Sequence, residues 1–113
     1  MNLRSIQRTI FTSQLILFWE RHSEWVWDTY KKADNIPPIL RFLWVMRGAA
    51  AHGHGTYNYG DKNRPPVSWH GLTYTSADVG RAVFEQDLLE ADIMVLLFEA
   101  GDELVSWFRS SPA

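Results

Sequence analysis

The stretch that decides the fold is residues 38–52, which read PILRFLWVMRGAAAH. Proline is favoured in the first turn of a helix, because it lacks a backbone N–H and its φ is already helical. The apolar residues among positions 39–45 occupy nearly every side of that helix. A helix that is apolar all round must be buried on more than one side, so we expect it at the centre of a helical domain.

A long first helix is expected before this segment. Residues 6–33 contain neither proline nor glycine, and apolar side chains recur there at three-to-four spacing. Pro37 and Pro38 then stop the helix, because a residue that precedes proline disfavours helical dihedral angles.

A last helix is expected at residues 89–108, where Ile93 and Leu104 belong to one apolar stripe. The connection before it is long and irregular, and we expect a short capped turn or helix within it at residues 75–84. The sequence therefore predicts one all-α domain over residues 1–113. It would be an up-and-down bundle of three to four helices, with one long loop or small hairpin between the second and last helices.

The composition excludes several kinds of site and location. The chain has no cysteine, which excludes disulfides, thiolate nucleophiles and thiolate-ligated zinc. Its apolar runs fall short of the roughly 20 residues of a spanning helix, and its N-terminus lacks signal-peptide features. We therefore expect a soluble, cytoplasmic protein with no membrane partner. The net charge of −2 is the sum of +3 over residues 1–48, +1 over residues 49–84 and −6 over residues 85–113, so a local anion site in the basic half is compatible with the acidic total.

The densest polar cluster follows the apolar helix and contains Arg47, His52 and His54. Arginine can hold a phosphate through its planar fork, and histidine can transfer protons near neutral pH. Together they are the minimum for cleaving RNA through its own 2′-hydroxyl. Positions five apart on a helix differ by roughly 140°. Arg47 and His52 therefore converge only if the helix bends or ends between them, or if two subunits contribute.

Arg-x4-His at the end of an apolar helix, followed by glycine, resembles the signature of HEPN domains (higher eukaryote and prokaryote nucleotide-binding). A long first helix, a tryptophan-containing loop and a final helix occur in a similar order. The resemblance implies a dimeric helical domain with Arg47 and His52 in a composite site at the dimer cleft. His52 would act on the 2′-hydroxyl or the leaving group, and Arg47 would hold the phosphate.

Many HEPN domains are metal-independent ribonucleases of toxin–antitoxin, phage-defence or RNA-processing systems. For this chain the resemblance implies an endoribonuclease that binds RNA or a nucleotide, needs no cofactor or metal, and has an antitoxin-like protein as a further possible partner. Among the nearby residues, we expect His54, Tyr57 and Tyr59 to contact the substrate, because tyrosine rings can stack on bases.

One position departs from the family pattern. A polar residue, commonly Asn or Asp, often follows the arginine, whereas this chain has Gly48. Some family members bind nucleotides or partners without cleaving RNA, so a catalytically inactive nucleotide-binding or partner-binding protein is the alternative. A metal-dependent hydrolase using His52, His54 and His70 is a third hypothesis, although His-x-His without a clear third ligand is a poor zinc signal.

The tryptophans provide a separate reason to expect a homodimer. Trp25 and Trp27 differ by about 200° in direction on a helix. One of them would then be exposed in a monomer or covered by a second subunit. The second helix, apolar nearly all round, favours the same conclusion.

Overall fold

The structure is a computed structural model, and it describes residues 3–51, 55–57, 66–84 and 86–110. Its elements, in chain order, are α1 (Leu3–Tyr30), a 3-10 turn (Ala33–Asn35), α2 (Pro38–Ala51), β1 (Val67–Trp69), β2 (Leu72–Tyr74), a second 3-10 turn (Ser76–Asp78) and α3 (Glu90–Ser110). The three long helices that the sequence predicts are present, with ends within about three residues of the expected ones. Within the described part of the chain, no helix is both long and apolar enough to cross a membrane.

Helices α1 and α2 run antiparallel. Trp27 near the end of α1 packs edge-on against Trp44 of α2, with 5.3 Å between ring centroids. Earlier on α1, Glu20 is bonded to Arg47, which lies further along α2. The core lies where α2 meets its neighbours, and Phe42 there is fully buried. The expectation that α2 is buried on more than one side is confirmed, because it contacts α1, α3 and β1.

Helices α1 and α3 run parallel to each other. Near their C-terminal ends, Trp25 and Trp107 pack edge-on with their ring centroids 5.0 Å apart. Near their N-terminal ends, Phe11 and Glu90 line one shallow pocket. The end of α2 and the start of α3 therefore lie at the same end of the domain, and the connection between them leaves that end and returns to it.

The connection is closed at its base by main-chain hydrogen bonds. The Tyr57 N–H donates to the Arg81 carbonyl, and the Val83 N–H donates to the Gly55 carbonyl, each over 2.9 Å. Beyond this base, strands β1 and β2 pair antiparallel around a two-residue turn. His70 and Gly71 both have positive φ there, as a type I′ hairpin turn requires.

The hairpin is the main difference from the predicted all-α bundle. The chain is mostly helical, but the connection pairs two short strands, and the stacked rings of Trp69 and Phe42 join them to α2. Of the short capped turn or helix expected at residues 75–84, the structure has a single 3-10 turn, capped by Thr75. It ends because Val79, at ψ 128°, leaves the helical region, and Gly80, at φ +92°, completes a turn in which the Arg81 N–H donates to the Asp78 carbonyl.

Both tryptophans expected to point in different directions are covered within one chain. Trp25 packs against Trp107 on α3, whereas Trp27 packs against Trp44 on α2. Their roughly 200° separation is therefore met by two neighbouring helices on opposite flanks of α1. Both side chains remain partly buried rather than fully buried, so their two directions do not by themselves require a second subunit, and the homodimer stays a prediction.

Candidate functional site

Arg47 lies just before the last turn of α2, with its side chain largely buried against α1. Its guanidinium is bonded to the carboxylate of Glu20, which α1 presents at the surface. A partly exposed ion pair of this kind contributes about 0–1 kcal/mol to stability. Its larger effect is on geometry, because it fixes the direction of the arginine fork.

Helix α2 continues without a break past Arg47. It remains helical through Ala51, and both Gly48 and Ala49 are buried within it. The helix therefore does not end between Arg47 and Ala51, which was one of the ways in which Arg47 and His52 were expected to converge. His52, His54 and Tyr59 lie outside the described residues.

The chain folds back onto the end of α2 at Gly55. The Gly55 N–H donates to the Ala49 carbonyl over 2.9 Å. Gly55 has φ +87°, and a Cβ at this position would lie 2.7 Å from Nη2 of Arg8. Only glycine meets both conditions without strain. The guanidinium of Arg8 therefore lies against the main chain at Gly55.

Two arginines from different helices thus mark the ends of one short segment. Arg47 is its first residue, and Arg8 of α1 contacts its last residue, Gly55. The segment, residues 47–55, is the part of the chain that contains both His52 and His54. Arg8 brings positive charge to the last residue of the segment, whereas at the first residue the carboxylate of Glu20 offsets the charge of Arg47.

Sequence reasoning missed Arg8 and Glu20. Arg8 stands seven residues before Leu15, a fully buried residue of α1, so both lie on the same face of the helix. An arginine in register with a buried stripe is a detectable signal. Glu20 carries no comparable signal, because its partner Arg47 is 27 residues away in the chain.

Tyr57, one of the expected substrate contacts, lies in the core. Its ring is only 4% exposed and stacks on the ring of Tyr74, with centroids 5.2 Å apart and an interplanar angle of 12°. Packing accounts for Tyr57 in this conformation, and its faces do not open to solvent. The role expected for it in substrate binding stays a prediction.

Tyr74 belongs to a polar network beneath the hairpin. Its hydroxyl donates to Asp87 over 2.7 Å, and Nε of Arg81 lies 2.8 Å from the same Asp87 oxygen. The Arg81 guanidinium also lies over the Tyr74 ring. Burial, and next the hydrogen bond to Asp87, raise the pKa of Tyr74 above its ordinary value. The network ties β2 to the turn that precedes α3.

His70 lies in a different part of the molecule from the end of α2. Its Nε2 is 2.8 Å from a carboxylate oxygen of Glu99 on α3. The neighbouring Trp69 stacks on Phe42 in the first half of α2, which is about 9–13 Å along the helix axis from its last turn. Because His52 and His54 lie outside the described residues, the hypothesis of one metal site built from His52, His54 and His70 stays a prediction. The described residues contain no cluster of three or more metal-ligating side chains.

Comparison with known proteins adds no relative to this description. No protein-family model matches the chain, and no curated protein or solved structure matches it either.

Proposed function

We propose that this chain is a HEPN-like RNA-binding protein and a metal-independent endoribonuclease, with Arg47 and His52 as its catalytic residues. The observation that carries the proposal is the placement of Arg47 and Arg8 at the two ends of residues 47–55. That segment includes His52. A phosphodiester bound there would meet the guanidinium of Arg8, the guanidinium of Arg47 once the phosphate shares it with Glu20 or replaces Glu20, and a residue able to move a proton.

The proposed reaction needs only these groups and the RNA itself. His52 takes the proton from a 2′-hydroxyl, and the 2′-oxygen forms a bond to the adjacent phosphorus. The bond from phosphorus to the 5′-oxygen breaks, and that oxygen leaves as a 5′-hydroxyl on taking the proton that His52 accepted. Arg47 stabilises the charge that accumulates on the phosphoryl oxygens. The products are a 2′,3′-cyclic phosphate and a 5′-hydroxyl end.

A homodimer is part of this proposal. Because α2 stays helical through Ala51, an early helix end does not bring Arg47 and His52 together. This supports a composite site, in which Arg47 of one copy and His52 of another share one cleft. An enzyme of this kind would serve as a toxin, a phage-defence factor or an RNA-processing enzyme, with an antitoxin-like protein as a second partner.

The test is cleavage of single-stranded RNA by the wild type, by His52→Ala and by Arg47→Ala. Arg41→Ala, on the same helix, is the matched control for Arg47→Ala. We expect cleavage by the wild type and by Arg41→Ala, loss of cleavage in the other two, and products with cyclic phosphate ends. A wild type that cleaves no RNA would contradict the catalytic proposal, as would activity that a chelator abolishes.

Two observations favour the alternative of a protein that binds without cleaving. Glu20 already neutralises Arg47, and Gly48, buried in α2, provides no polar side chain beside it. Such a protein would bind RNA or a nucleotide, or a second protein, without turnover. Measuring binding and cleavage on the same RNA separates the two functions, because binding without products supports the alternative.

A further inference from the structure

An exposed apolar stripe runs along the outer side of α3. Met94, Phe98 and Val105 are 48%, 71% and 47% exposed. Gly101 lies between Phe98 and Val105, and a Cβ built on it would meet nothing within 4 Å. Positions 94, 98, 101 and 105 follow the four-three-four spacing of a coiled-coil seam. We call these four residues the α3 seam.

Helix α1 extends this apolar surface on one side. Leu97 of α3 lines a shallow pocket with Met94 and Phe98, and it also lines a groove of about 630 Å³ with Leu17 and Phe18 of α1. Leu17 is itself exposed. Leu97, Phe18 and Leu17 therefore extend the apolar surface of the α3 seam to α1, where the polar residues Gln14, Arg21 and His22 border it. An exposed apolar surface of this kind is typical of a protein–protein contact.

We propose that the α3 seam binds the same seam of a second copy, with the two α3 helices antiparallel about a two-fold axis between residues 99 and 100. This register sets the exposed ring of Phe98 opposite Gly101 of the other copy, where there is open space. It also sets Met94 opposite Val105. A large side chain thus meets the smallest one, as knobs-into-holes packing requires.

The charges at the two ends of α3 favour the antiparallel arrangement. Glu90 lies in the first turn and Arg109 in the last turn. In the proposed register, Glu90 of each copy lies opposite Arg109 of the other, so both ends gain attraction between opposite charges. In a parallel pair, each of these residues would face its own equivalent and repel it.

The inference rests on the homodimer of the proposed function, but it does not depend on RNA chemistry. Glu20, which is bonded to Arg47, also lines the groove beside Leu17. Glu20 therefore lies on the groove that separates α1 from Leu97 of α3, on the same side of the molecule as one edge of the proposed interface.

The first test is the mass of the purified chain by sedimentation equilibrium at micromolar concentration. We expect a dimer for the wild type and a monomer for Phe98→Glu, with the dimer dissociation constant raised at least about 30-fold. Val79→Glu is the matched control, because Val79 is an exposed valine outside the seam, and this variant should stay dimeric. A monomeric wild type, or a Phe98→Glu variant that dimerises normally, would overturn the proposal.

A second test determines the orientation of the helices. The chain has no cysteine, so Met94→Cys and Val105→Cys each introduce a single thiol. In the antiparallel pair, position 94 of one copy and position 94 of the other would lie about 16 Å apart along the helix axis, and the same holds for position 105. This distance is too large for a disulfide. We expect oxidation to cross-link a mixture of the two variants but neither variant alone. Efficient cross-linking of either variant to itself would overturn the antiparallel register.

A charge exchange tests the ends of the pair independently. Glu90→Arg and Arg109→Glu should each weaken the dimer, and the double variant should restore it, although both changes oppose the helix dipole of α3. A double variant weaker than both single variants would contradict the pairing. A dimer that cross-links as expected but cleaves no RNA would leave this inference standing while the proposed function fails.

Discussion

The guanidinium of Arg47 on α2 is bonded to the carboxylate of Glu20 on α1. The residue that we propose to hold a phosphate is therefore already held by an anion from a neighbouring helix. A phosphate that binds Arg47 has to share or replace this carboxylate. The pair orients the arginine and at the same time lowers its net attraction for RNA.

Removing the charge of Glu20 tests this balance. We expect Glu20→Gln to bind single-stranded RNA several-fold more tightly at low salt, because Arg47 is no longer neutralised. Stability should change by less than about 1 kcal/mol, since the pair is partly exposed. Titration of a labelled RNA by fluorescence anisotropy measures the affinity. Glu24→Gln, an exposed change on the same helix, is the control, and equal gains in both variants would contradict a specific role for Glu20.

Replacing Gly55 by alanine should lower stability for two reasons. The positive φ disfavours any residue other than glycine, and the new Cβ would contact Arg8. Gly55→Ala has to accept both φ +87° and a Cβ placed 2.7 Å from Arg8 Nη2, whereas Gly80→Ala has only the unfavourable φ of +92°. The positive φ costs about 1–2 kcal/mol in each. We expect Gly55→Ala to be the less stable variant in urea unfolding. In an Arg8→Ala background the difference between the two should shrink, and an unchanged difference would contradict the contact.

The buried hydroxyl of Tyr74 predicts a loss of stability in alkali. Because the pKa of Tyr74 is raised above its ordinary 10.0 in the folded chain, the native state holds this proton more tightly than the unfolded state does. The associated stabilisation is complete below pH 10 and is lost as pH rises above it. Urea unfolding between pH 8 and pH 11 should show this decline.

Tyr74→Phe is the variant that tests the cause. It should lose about 1 kcal/mol at neutral pH with the hydrogen bond to Asp87, and its stability should fall less steeply in alkali than that of the wild type. Tyr30→Phe is the control variant. Burial also raises the pKa of Tyr30, but Tyr30 is less buried than Tyr74, so the alkaline loss of stability should change less in Tyr30→Phe than in Tyr74→Phe. Equal alkaline slopes for the wild type and Tyr74→Phe would rule out Tyr74 as the source.

The ring of Trp44 joins α2 to α1 at two points. It stacks on Trp19 with centroids 6.3 Å apart and meets Trp27 edge-on at 5.3 Å. We expect Trp44→Ala to lose about 3 kcal/mol of unfolding free energy, as measured by urea unfolding followed by circular dichroism. Val79→Ala, at an exposed position, should stay within about 0.5 kcal/mol of the wild type. A loss in Trp44→Ala no larger than that in Val79→Ala would contradict the role assigned to this ring.

The positions of the three helices were predictable from local sequence signals. Which elements pack against each helix was not. Pro38 is the first residue of α2, as its preference for the first turn indicates. The hairpin was only one of two alternatives, because each strand has three residues and little alternation to detect.

In the candidate site, too, one residue was predictable from the local sequence and two were not. Arg47 was recognisable from its setting at the end of an apolar helix. Arg8 and Glu20 meet their neighbours across more than twenty intervening residues, and only the packing of α1 against α2 brings them there. The two tryptophans Trp25 and Trp27 show the same limit, because the helical wheel gave their directions correctly but not the neighbours that cover them.

The long excursion between α2 and α3 has a consequence for the order of folding. Helices α1 and α2 are joined by residues 31–37, so they can form a helical hairpin from local contacts. Helix α3 has to close a much longer loop before it docks, which costs more chain entropy. During synthesis the ribosome therefore releases an α1–α2 hairpin with one apolar flank bare. That interval is when the nascent chain is most exposed to aggregation and most in need of a chaperone.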